Sequence, residues 1–206
     1  MTPGSPYRLT CPKCGGHKLV ASIASGNTFG GILWSDSKHD YPMLPQPSFV
    51  QHCPVCGHYF FYNDGNPKDT REESFSFDFG NLSFEQANDA FDELYNSKLE
   101  EGNKMQLLFL WLYKYNDKYG GREGENCPER CTESIAERRA AIVYTLLDSQ
   151  ADNVLLCAEL HREIGEFDKC IELATPLADG EDFSAEVARK FIEHAKMEDS
   201  KVFQLY

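Results

Sequence analysis

Long apolar runs, an N-terminal apolar leader and a surplus of basic residues are all missing from this 206-residue chain. The longest apolar stretch, Leu107 to Tyr113, falls far short of the roughly 20 residues that cross a bilayer, so no helical membrane span is expected. The opening residues, Met1 to Arg8, lack the apolar h-region of a secretory signal. The expected location is therefore cytoplasmic, with no membrane partner. Lys and Arg total 20 against 33 Asp and Glu, a formal charge of -13. Such a balance repels phosphate backbones and disfavours nucleic acid as a partner. There is no Gly-rich phosphate loop, Gly-x-Ser-x-Gly elbow or His-Glu-x-x-His helix, and the chain is not expected to be an enzyme.

A normal apolar content remains, 41% hydrophobic with 13% aromatic, which is enough for a packed core. The charge is uneven. Residues 1–62 carry +2 and the rest -15. Patterning divides the chain at the same place: Asn63-Asp-Gly-Asn-Pro67 is a strong turn signal. Before it, Lys18–Ser25, Gly30–Trp34 and Tyr59–Tyr62 read as strands, and the prolines of 41–47 exclude a helix. After it, Phe75, Phe77 and Phe79 alternate as in an extended segment. Helices are then expected from a Ser83/Gln86 capping box, over 104–118, over 133–147 introduced by Ser134, over 153–164 and 166–177, and from a Ser184 cap to about 197. The expected fold class is α+β: a small β module over 1–67 followed by an all-α domain over 75–206.

Eight cysteines in a reducing compartment point to metal ligation before disulfides. Four are regularly placed, in Cys11-Pro-Lys-Cys-Gly15 and Cys53-Pro-Val-Cys-Gly57. Two thiolates three positions apart chelate one ion if the chain turns sharply; proline presets φ after the first, and glycine permits φ > 0 past the second. Two such turns complete an S4 site, so Cys11, Cys14, Cys53 and Cys56 are the expected metal ligands. One structural Zn²⁺ is the expected cofactor; iron and a redox dithiol are the competing readings. Four thiolates and one Zn²⁺ would bring the first module near neutrality. His17, His52 and His58 flank the turns as neighbours of the sulfurs or surface residues.

The paired turns resemble the knuckles of zinc-ribbon proteins, each at the tip of a β-hairpin. One departure is the 38-residue separation of Cys14 from Cys53, which makes 26–47 an insertion. It contains a polar–aromatic cluster, Trp34, Asp36, His39 and Asp40, the candidate contact loop. In the helical half, Val154–His161 and Ile164–Cys170 resemble one tetratricopeptide (TPR) unit. Ala158, Gly165 and Cys170 stand at small positions and Phe167 at an aromatic one; Val154 and His161 replace the family's large first-helix aromatics. The order of the two parts is similar to that of some uncharacterised bacterial proteins, an architecture without an assigned activity. Cys157 and Cys170 read as core residues, Cys127 and Cys131 as a loop thiol and a helix-start residue, and Arg122, Arg130, Arg138 and Arg139 as surface ion-pair partners.

These readings lead to a non-enzymatic zinc-containing interaction or adaptor protein with a protein or peptide partner. The alternatives are a zinc-ribbon nucleic-acid-binding or regulatory protein, and a hydrolase with a site between the modules near His39 and Asp40.

Overall fold

A computed structural model describes residues 1–70, 78–122 and 131–206. In chain order the strands are β1 (Thr2–Pro3), β2 (Tyr7–Thr10), β3 (His17–Val20), β4 (Ile23–Ser25), β5 (Ile32–Leu33), β6 (His39–Asp40), β7 (Val50–His52), β8 (Tyr59–Phe61) and β9 (Lys68–Asp69). The helices are α1 (Phe84–Leu94), α2 (Glu101–Lys118), α3 (Glu133–Ser149), α4 (Val154–Glu163), α5 (Phe167–Ala178) and α6 (Phe183–Lys196). The class is α+β, with a strand-rich first part and helices after it. Among the described residues no helix is long and apolar enough to cross a membrane.

Two compact units form, one from residues 1–31 and 40–111, the other from 32–39 and 112–206. In the first, β2 pairs antiparallel with β3 and with β9, β1 with β4, and β7 with β8. The three residues of β8 are all buried, and their alternation explains why. Successive side chains of a strand point to opposite faces. Phe60 packs with Leu9, Val20, Cys11 and Cys53. Tyr59 and Phe61, on the other face, join Val50, Leu82, Ala90, Leu94 and Leu107. The β7–β8 hairpin thus separates a thiol-lined core from an aromatic–aliphatic core made with α1 and the first part of α2.

Helix α1 begins as its sequence demands: Ser83 Oγ accepts from Gln86 N at 3.2 Å, and Gln86 Oε1 accepts from Ser83 N at 3.0 Å. Trp111 of α2 lies edge-on to Phe84 with centroids 5.6 Å apart, and its indole N–H donates to Asn88 Oδ1 at 3.1 Å. A buried indole needs such an acceptor. Of the expected alternating phenylalanines, Phe75 and Phe77 lie outside the described residues. Phe79 accepts a backbone bond from Ser48 N at 3.0 Å.

In the second unit α4, α5 and α6 share a core of Ala158, Cys170, Ala174, Val187, Ala188, Phe191 and Ala195, with Phe167 packed against it. The many small side chains let three helix backbones approach closely. Two expected caps differ. The last helix starts at Phe183 with Asp182 as N-cap, whose carboxylate accepts from Ala185 N at 2.9 Å; Asp182 lies two residues nearer the Gly180 bend than Ser184. Helix α3 starts after Thr132, whose hydroxyl faces Ser134 Oγ at 3.2 Å instead of an amide. The C-terminal tail is extended: Leu33 N donates to Tyr206 O at 3.0 Å, Leu205 N to Leu33 O at 2.7 Å and Ser35 N to Phe203 O at 2.9 Å. The insertion therefore receives the end of the chain.

Candidate metal centre

Each Cys-Pro-x-Cys-Gly turn sits at the tip of a hairpin, β2–β3 or β7–β8. The two turns are near copies. Gly15 N donates to Cys11 O at 2.9 Å and Gly57 N to Cys53 O at 3.0 Å. Cys11 N donates to Gly16 O at 2.8 Å and Cys53 N to His58 O at 2.9 Å, closing each hairpin across its ligands. Gly15 and Gly57 have φ of 72° and 73°, a region costly for residues with a Cβ. The Gly16 amide also donates to Cys14 Sγ at 3.3 Å, placing a partial positive charge on a sulfur.

The four Sγ atoms lie within 4.8 Å of one another. Cys11 and Cys56 are 3.8 Å apart across the two turns, and Cys14 and Cys53 are 3.7 Å apart. Thiolates about 2.3 Å from a central ion form a tetrahedron with edges of about 3.8 Å. The donor set and its spacing therefore fit one tetrahedral S4 metal. Cys11 and Cys53 are buried against Leu9, Val20 and Phe60, whereas Cys14 and Cys56 are exposed. In the absence of a cation the thiols compete for negative charge. The Gly16 amide favours the Cys14 thiolate, yet Cys56, burial and the other thiols push Cys14 up to about 12. Burial opposes ionisation of Cys53, but amides of Cys56 and Val55 and the neighbouring thiols hold it down at about 7. A divalent cation relieves this competition by favouring all four thiolates.

None of the flanking histidines joins the cluster. His17 Nδ1 lies 3.3 Å from Thr10 Oγ1, and the His52 ring lies tilted against Tyr59 with centroids 4.9 Å apart. His58 is held by Glu93 of α1, whose other carboxylate oxygen accepts from Tyr59 N at 3.4 Å. That carboxylate links helix α1 to the second turn. A sequence signal for it is absent, since 35 residues separate the pair.

The contact-loop candidates part company. Asp36 is buried in the second unit, where Arg122 pairs with it and Asn116 Nδ2 donates at 2.9 Å. Asp36 Oδ1 also accepts from Lys38 N at 3.1 Å, fixing the 34–38 turn. Trp34 lies under the Arg122 guanidinium, 5.3 Å from its ring centroid, and bridges to Gln204. His39 is exposed and Asp40 half-buried in β6. Arg122 is thus a buried partner of Asp36 and Asp117 (2.6 Å), in contrast to the surface role expected for it.

Around it runs a charge network that the sequence reading missed. Arg162 grips Glu159 through two bonds, at 2.7 and 2.6 Å, and both side chains are fully buried. Glu163 accepts from Asn116 Nδ2 at 3.1 Å and from Arg139 Nη2 at 3.3 Å. Burial, with Glu159 close by, raises its carboxyl to about 7. One signal was available: α4 is apolar on most sides, so Glu159 and Arg162 at i,i+3 had to pair. Cys157 and Cys170 are buried, as expected; Cys131 is half-buried with Sγ near Thr132 O at 3.3 Å, and Cys127 lies outside the described residues.

No protein-family model matches the chain, and neither the curated proteins nor the solved structures include a match.

Proposed function

We propose that Cys11, Cys14, Cys53 and Cys56 hold one structural zinc ion in a ribbon-like module, and that the protein is a non-enzymatic adaptor whose TPR-like helical part engages a protein or peptide partner. The observation that carries the reading is the S4 cluster, with its cross-turn spacings of 3.8 and 3.7 Å. Four thiolates leave no open coordination position, so the ion supplies folding energy and no Lewis-acid site for substrate. The adaptor reading is supported by the close-packed α4–α5–α6 set and by apolar side chains of the second unit left in solvent, Tyr144 of α3 and Phe183 of α6 among them, 49% and 53% exposed. The acidic charge outside residues 1–62 favours a basic or neutral partner over a polyanion.

Elemental analysis tests the metal: about one zinc per chain is expected, lost in the Cys11→Ser, Cys53→Ser double variant. Iron, or no metal in freshly purified protein, contradicts it. A photo-crosslinking side chain at position 144 tests the adaptor reading. A discrete crosslinked protein is expected, reduced by a Phe183→Ser change; crosslinks to nucleic acid alone would contradict it.

A further inference from the structure

The first unit contains a cavity of about 550 Å³, and none of the described residues that line it carries a charged side chain. That size is within the range of sites that take small ligands or short peptide segments. Tyr7, Phe49 and Tyr62 supply its rings, and Asn63, Asn103 and Gln106 supply carboxamides. Pro45 and Pro47 form part of the wall, with φ fixed by their rings, so little ordering is needed on binding.

The lining selects by chemistry. A phosphate, carboxylate or ammonium would lose hydration there without meeting an opposite charge among the described lining residues. A purely apolar occupant would strand the carboxamides. What fits is a neutral group with flat apolar faces and strong acceptors spaced along it. Burial and the nearby Tyr7 ring raise the Tyr62 phenol, which keeps it a hydrogen-bond donor. An extended proline segment has this character: its rings stack on aromatic side chains, and its carbonyls make no internal hydrogen bonds and need donors. Phe49 is 57% exposed although it lies beside buried Val50, so a large ring is held in solvent at this site.

We propose that this cavity is a docking site for an uncharged, proline-containing peptide segment in the polyproline II conformation, stacked on Tyr7, Phe49 and Tyr62 and held through its carbonyls by the carboxamides of Asn63, Asn103 and Gln106. The assignment rests on the interaction reading above, to which it gives a partner chemistry, and is independent of the metal's identity.

The test is a titration of the full-length, metal-loaded chain with end-blocked decaproline, followed by amide and side-chain NMR shifts. Saturable shifts confined to the cavity are expected, with affinity reduced about tenfold in Phe49→Ser and several-fold in Asn103→Ala. An end-blocked glycine–serine peptide of the same length is expected to give none. Phe49 is exposed and its backbone carbonyl keeps its bond from Tyr62 N, so the first variant leaves the fold in place. Metal content and spectra of each variant separate loss of docking from loss of the zinc module. Absence of saturable shifts with decaproline overturns the proposal, as does equal affinity in Phe49→Ser. Binding of a neutral disaccharide at the cavity, with decaproline excluded, overturns it as well.

Discussion

The two units hold their interiors together by different chemical means. The first gathers four thiols on two turns 38 residues apart, Cys11 and Cys53 packed beside Leu9, Val20 and Phe60, in an arrangement that fits one metal ion. The second packs alanines and a cysteine between three helices and buries Glu159, Arg162 and Glu163 of α4, with Asp36 buried against Arg122 and Asn116. A metal centre fails all at once when its ion is removed. A charge network fails locally, at the group whose partner is lost. The contrast predicts separable responses to perturbation.

Chelation should give the largest effect. Structural zinc in small modules contributes on the order of 10 kcal/mol. A strong chelator is therefore expected to erase the dispersed amide signals of β2, β3, β7 and β8 while those of α4–α6 persist. Simultaneous loss of both sets would break the contrast.

Next in size is Arg162→Ala, which strands the buried Glu159 carboxylate and should cost about 3–5 kcal/mol in urea unfolding followed at the helices. Zinc content should stay unchanged. A cost below about 1 kcal/mol would mean that water reaches the pair.

Glu163 sharpens the picture through pH. Its carboxyl is raised from an ordinary value near 4.5 to about 7, so between those values the folded state holds a proton that the unfolded state has released. The stability this contributes is complete below about 4.5 and is lost as pH rises through 7, by on the order of 1–3 kcal/mol. Glu163→Gln keeps a neutral acceptor for Asn116 and should flatten that decline. Urea midpoints of both proteins at pH 5 to 8 check this; parallel curves would contradict it.

The smallest effect belongs to the α1 cap. Ser83→Ala removes one bond of the capping box and should cost about 1 kcal/mol, read as a small shift in the unfolding midpoint.

What the sequence made legible follows the same division. Cysteine pairs with Pro and Gly at fixed offsets carry their geometry locally, so the S4 cluster and both hairpin tips could be read directly. The Ser83–Gln86 cap, the small core positions Ala158 and Cys170, and the buried Cys157 were legible for the same reason. Asp36 and Arg122 were not, because they stand 86 positions apart and nothing local distinguishes a buried arginine from an exposed one. The His58–Glu93 bond and the tail on Leu33 and Ser35 also depend on tertiary placement. Asp182 displaced the expected Ser184 cap because both residue types cap well, and the chain's exit from α5 decides between them.

X-ray absorption at the zinc edge of the purified full-length protein tests the central claim most directly. The account predicts one zinc per chain with four sulfur neighbours at about 2.3 Å and no nitrogen or oxygen ligand. A shell containing imidazole or water, or an iron edge in place of zinc, would contradict it.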